Sequence, residues 1–147
     1  MGFAMMEREI IDSRIRLMIK YLDRLKNFKS VQLTDYLDNF DYQLMVERLI
    51  ELLVEASSDI NSYMLAQLHN VIPSTYYDSF IEAGKNHLIT RELANELAKS
   101  AGMRNRLVHQ YIDHEIVFKS IPKALKQFPL YIQQITTYLD TQEQEND

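Results

Sequence analysis

The chain has 147 residues, enough for one domain with a buried core and too few for two, and its 3 Gly and 3 Pro leave little turn chemistry for a sheet protein. Cysteine is absent, which excludes disulfides and thiolate metal sites and fits a reducing cytoplasm; no run approaches the roughly 18 apolar residues of a membrane span, and no basic-then-apolar leader opens the sequence. The formal charge of −5 disfavours an extended nucleic-acid track, although residues 85–111 set Lys85, Arg91, Lys99, Arg104 and Arg106 against only Glu92 and Glu96. Such a basic stretch suits a local phosphate contact.

Strong helix formers dominate the rest, so the composition predicts an all-α fold. Ile11, Ile15, Met18, Leu22 and Leu25 recur in steps of four and three, an amphipathic helix from about Glu7 to Phe28. Residues 27–35 read as a loop, with Thr34 or Asp35 capping a long second helix from Tyr36 to His69. Along that helix Glu47, Glu51 and Glu55 form an acidic line, read as its solvated side because no histidine joins them at metal-ligand spacing.

Pro73 breaks the pattern, and Ser74 or Thr75 caps a third helix that ends before Gly84. Thr90 caps a fourth helix carrying Leu93, Leu97, Ala101, Val108 and Ile112, with Gly102 as an interruption. A last helix starts near Asp113 and runs to about Leu139, where Pro122 and Pro129 are expected at a start, break or kink. The expected architecture is a single-domain bundle of about five antiparallel helices over residues 1–139. An acidic tail, 140–147, is expected to be disordered.

Four histidines can titrate near neutrality. His69 at a helix end, His87 in a loop and His114 after a helix cap read as structural. His109 differs through its neighbours: Asn105 lies one turn away on the same helix face, and Arg104 and Tyr111 fall within about 20° of each other around the axis. A packed or surface Arg–His pair has the same spacing, so these residues alone name no activity.

The segment Arg104-Asn105-Arg106-Leu107-Val108-His109-Gln110-Tyr111 resembles the R-x4-H-x-Y signature of HepT-type toxins of the HEPN superfamily. Two further blocks are similar to that family in the expected order: Glu47 to Ile60, with its Glu55-Ala56 and Asp59-Ile60 pairs, and Pro73 to Gly84. Ile81-Glu82 departs from the two apolar residues usual there. The likeness spans residues 7–139.

That resemblance implies a metal-independent endoribonuclease, the toxin of a type VII toxin–antitoxin system, needing no cofactor. RNA supplies its own nucleophile, the 2′-hydroxyl, so a protein need only move protons and stabilise charge at phosphorus. On this reading His109 transfers the proton, Arg104 binds the phosphate and Asn105 orients the histidine or backbone. One chain offers one motif histidine, and the resemblance implies a homodimer that brings two motif segments to one cleft. It also implies a minimal nucleotidyltransferase antitoxin that adds AMP to Tyr111; the alternative is Tyr111 as an ordinary interface or core aromatic. Two other readings stay open, a noncatalytic helical module that binds substrate for a nucleotidyltransferase and a plain dimeric scaffold.

Overall fold

The computed structural model describes the backbone of residues 5–109 and 112–145 and the side chains of residues 8–105 and 112–145. It contains six α-helices and no strand among the described residues: α1 (Met5–Leu25), α2 (Leu33–Leu37), α3 (Phe40–Met64), α4 (Tyr76–Lys85), α5 (Arg91–His109) and α6 (His114–Glu145). The all-α expectation holds, with one short helix more than the periodicity suggested.

The caps explain the boundaries. Asn39 accepts a hydrogen bond from the amide of Tyr42 and starts α3, so the expected single helix from Tyr36 is two helices meeting at Asp38–Asn39. Thr75 caps α4 through the amide of Asp78, and Thr90 caps α5 through that of Leu93. Asp113 accepts from the amides of Glu115 and Ile116 and starts α6. α3 ends in a π-helical turn, Leu65–His69, closed by Asn70 in the left-handed conformation with φ of 55°.

α3 is the hub. It packs against α1, α2, α4, α5 and α6, and the core gathers Met18 and Leu25 from α1, Leu53 and Ile60 from α3, Phe80 from α4, Leu97 from α5 and Phe128 and Ile135 from α6. A buried polar network crosses it. Tyr131 Oη lies 2.6 Å from Asn61 Oδ1 and 2.9 Å from the carbonyl of Ser57, while Ser58 and Ser79 Oγ are 2.8 Å apart. Gly84 lets α4 and α5 approach closely, since a Cβ there would stand 2.6 Å from Ala94 Cβ.

Two expectations need correcting. Pro122 and Pro129 neither start nor break α6, which runs through both; they lie on its exposed side, where water can take the place of the missing amide bonds while Ile121, Ala124, Phe128 and Tyr131 bury the opposite face. Order also does not stop at residue 139. α6 continues to Glu145, and Arg8 donates to Asp140 at 3.2 Å and to Glu143 at 2.9 Å, which ties the acidic end onto α1.

Candidate functional site

Arg104 lies in the fourth turn of α5 and points back onto α3. Its Nη2 donates to Glu55 Oε1 at 3.1 Å, and its guanidinium carbon sits 4.7 Å from the ring centroid of Tyr76, the first residue of α4. Only 18% of the side chain is exposed, and Nε is buried without a hydrogen-bond partner among the described residues. One carboxylate therefore holds an edge of the guanidinium, and an aromatic ring lies against its central carbon.

Ten residues on, the chain meets α3 again. His114, first in α6, places Nδ1 3.3 Å from Glu47 Oε2. Glu47 is only 8% exposed. Burial raises its pKa, an effect that His114 opposes and the neighbouring Glu51 reinforces. The buried, unpartnered hydroxyl of Tyr36 sits within Glu47's field, and burial followed by that charge pushes its pKa up. Asp59, one turn beyond Glu55, has its carboxyl raised by burial, lowered by Arg14 and raised by Glu55.

The acidic line of α3 is thus corrected. Glu47 and Glu55, eight residues or about 12 Å apart on one helix face, each meet a cationic or titratable partner at one end of the segment 104–114. Spacing alone could not reveal this, because a solvated stripe and a stripe under a polar segment share the same period. The available signal was the net positive charge of residues 85–111, which accounts for Arg104 but not for His114.

The sequence-predicted site residues divide as follows. Arg104 is placed as described, and Asn105 is exposed on α5. His109 contributes the last backbone residue of α5, while its side chain and the whole of Tyr111 lie outside the described residues. Of the three histidines read as structural, His69 bonds Tyr138 Oη through Nε2 at 2.7 Å, and His87 occupies a turn with φ of 64°. His114 joins the site.

Among the described residues no three His, Cys, Asp or Glu side chains converge as a metal set, and no helix is long and apolar enough to cross a membrane. A 740 Å³ groove between His87–Thr90 and the end of α6 includes neither Arg104 nor Asn105.

Residues 18–135 match the family model for HepT-like ribonucleases. The chain belongs to that family. It is 48% identical over 143 residues to the tRNA nuclease HepT of Aphanizomenon flos-aquae, covering 96% of this chain and 97% of that one. Identity to the mRNA nuclease HepT of Shewanella oneidensis is 35% over 80 residues, covering 53% of this chain and 60% of the relative. Among solved structures, a tri-AMPylated Shewanella oneidensis HEPN toxin in complex with MNT antitoxin superposes with a TM-score of 0.80 at 28% identity, covering 87% of this chain and 97% of that one. The HEPN-like bundle expected from the family's pattern is therefore the fold observed.

Proposed function

We propose that this chain is the toxin half of a toxin–antitoxin pair, a metal-independent endoribonuclease acting on RNA in the cytoplasm. Within RNA we favour tRNA, following the relative named a tRNA nuclease, which matches almost the whole chain. Arg104 would bind the scissile phosphate, His109 transfer the proton and Asn105 orient the histidine or the adjacent backbone. A two-fold homodimer would set two such segments across one cleft.

The supporting observation is the state of Arg104. A guanidinium that is mostly buried, ion-paired on one edge and set over a tyrosine ring is held as a preorganised oxyanion ligand would be, unlike a solvated surface cation. A scaffold or passive binding module gains nothing from keeping a guanidinium so constrained. Silencing would follow from addition of AMP to Tyr111 by a small nucleotidyltransferase, as the tri-AMPylated relative bound to MNT antitoxin suggests. A phosphodiester there, seven residues beyond Arg104 in sequence, would compete for it by charge as well as bulk.

Expression in growing cells, with RNA integrity as the readout, tests the reading. Wild type should arrest growth and fragment RNA, while Arg104→Ala and His109→Ala should do neither, although folded. Purified wild type should keep its activity in EDTA. Co-expression with the cognate nucleotidyltransferase should add AMP mass to wild type and not to Tyr111→Phe. Undiminished cleavage by His109→Ala, or EDTA inhibition reversed by magnesium, would sink the assignment.

A further inference from the structure

Cleavage of RNA by acid–base catalysis requires one group to take the 2′-hydroxyl proton and another to give a proton to the departing 5′-oxygen. The motif supplies one histidine per chain. A second histidine stands five residues further on, held in contact with a carboxylate at the other end of the same segment. We propose that His114, oriented by Glu47, is the general acid of this ribonuclease. The inference rests on the ribonuclease reading above and assigns the second proton-handling group to the same chain as the first.

The geometry is that of a carboxylate–imidazole dyad. Nδ1 of His114 is buried 3.3 Å from Glu47 Oε2, an ion-pair distance without hydrogen-bond alignment, and among the described residues neither atom has a hydrogen-bonding partner. About a third of the His114 side chain, 34%, remains exposed while Glu47 is nearly closed off, so the imidazole and not the carboxylate is the part of the dyad open to a substrate. A carboxylate on Nδ1 fixes tautomer and ring orientation and stabilises the imidazolium, the role such a group plays in other acid–base pairs. Glu55 anchors Arg104 and Glu47 anchors His114, both on α3, and His109 lies midway between the two in sequence.

Groups near the dyad are Glu47 and Glu51 from α3, the latter paired with Arg48, the Tyr36 hydroxyl from α2, and Asp113 and Glu115 beside it in sequence, the last paired with Lys119. In the proposed step the 2′-hydroxyl gives its proton to His109 and its oxygen bonds phosphorus. The bond from phosphorus to the 5′-oxygen breaks, and that oxygen takes the Nε2 proton of His114. The products are a 2′,3′-cyclic phosphate and a 5′-hydroxyl, with no change of oxidation state.

A leaving-group test separates proton donation from structural support. After the cleavage position is mapped, two oligonucleotides are compared, one natural and one carrying sulfur in place of the scissile 5′-oxygen, which leaves as a thiolate without needing an acid. His114→Ala should lower kcat on the oxygen substrate about 10²–10⁴-fold with KM little changed. It should also lose the alkaline limb of the pH–rate profile, since a general acid is lost as pH rises, and recover near wild-type rate on the sulfur substrate. Glu47→Gln should show a smaller loss with the same recovery. His114→Gln replaces the alanine variant if circular dichroism shows that variant unfolded.

Wild-type rates for both His114 variants on the oxygen substrate would overturn the proposal. So would equal slowing on both substrates, which marks a structural role. Recovery of His109→Ala on sulfur would do the same by making the motif histidine the acid. A folded wild type that cuts no RNA fails at the earlier step, identifying the ribonuclease reading as the fault and taking this proposal with it.

Discussion

Removing the charge of Glu55 should slow the chemistry without weakening substrate binding. Arg104 Nη2 donates to Glu55 Oε1 at 3.1 Å, and the two side chains are 18% and 30% exposed. A charge-assisted hydrogen bond is worth roughly twice a neutral one of about 1 kcal/mol, and partial exposure argues for the lower end of that range. Glu55→Gln keeps a carbonyl acceptor and loses the charge, so about 1 kcal/mol of positioning should go, a fall of about fivefold in kcat. Glu55→Leu removes the acceptor as well and leaves a second donor beside the already unpartnered Nε, so the fall should approach about 100-fold. KM should stay level or drop in both, because the displaced anion competes with the phosphate for the same guanidinium. Steady-state cleavage with a melting curve for each variant measures this. An unchanged kcat in Glu55→Leu, or a raised KM as the only effect, would refute the positioning argument.

The two helical glycines should respond oppositely to alanine. Gly84→Ala drives a Cβ to 2.6 Å from Ala94 Cβ, which cannot rotate away; overpacking of about 1–3 kcal/mol should outweigh the about 1 kcal/mol gain in helix propensity and lower Tm. Gly102→Ala meets nothing within 4 Å and should raise stability by roughly 0.5–1 kcal/mol, so equal shifts in the two melting curves would contradict the packing described. Tyr131→Phe strips the donor from Asn61 Oδ1 in a dry site and should cost about 1–3 kcal/mol in denaturant unfolding, whereas a neutral result would mean that water replaces it. Burial and the nearby His87 lower the pKa of His69, so the unfolded chain binds that proton more readily. Stability from this source should be full above the unfolded value of about 6.5 and fall as pH drops through it; His69→Gln should flatten that part of the Tm–pH curve.

Most helices were legible because their apolar stripes face the core and their starts carry side-chain caps, as at Thr75, Thr90 and Asp113. The α2–α3 junction was not. It has no Gly or Pro, and Asn39 as a cap competes on paper with Thr34 and Asp35. The prolines misled because the rule about lost amide bonds does not say which side of the helix loses them, and here it is the wet side. Arg104 was legible through the motif, but its partners were not. Glu55 is 49 residues away and Tyr76 lies on another helix, so their convergence depends on how α3, α4 and α5 pack. His114 was set aside for the same reason: only the packing of α6 against α3 brings Glu47 to it.

The carboxylates of α3 also bear on how a chain of net charge −5 can take up a polyanion. Glu55 already serves as the counterion of Arg104, so an arriving phosphate meets a guanidinium partly neutralised by an internal anion instead of bare positive charge. Little salt is released on such a contact, and the dependence of RNA affinity on ionic strength should be shallow compared with proteins that coat the backbone with lysine and arginine. Discrimination would then reside in which phosphodiester can reach the guanidinium at the cleft, leaving bulk RNA largely unbound.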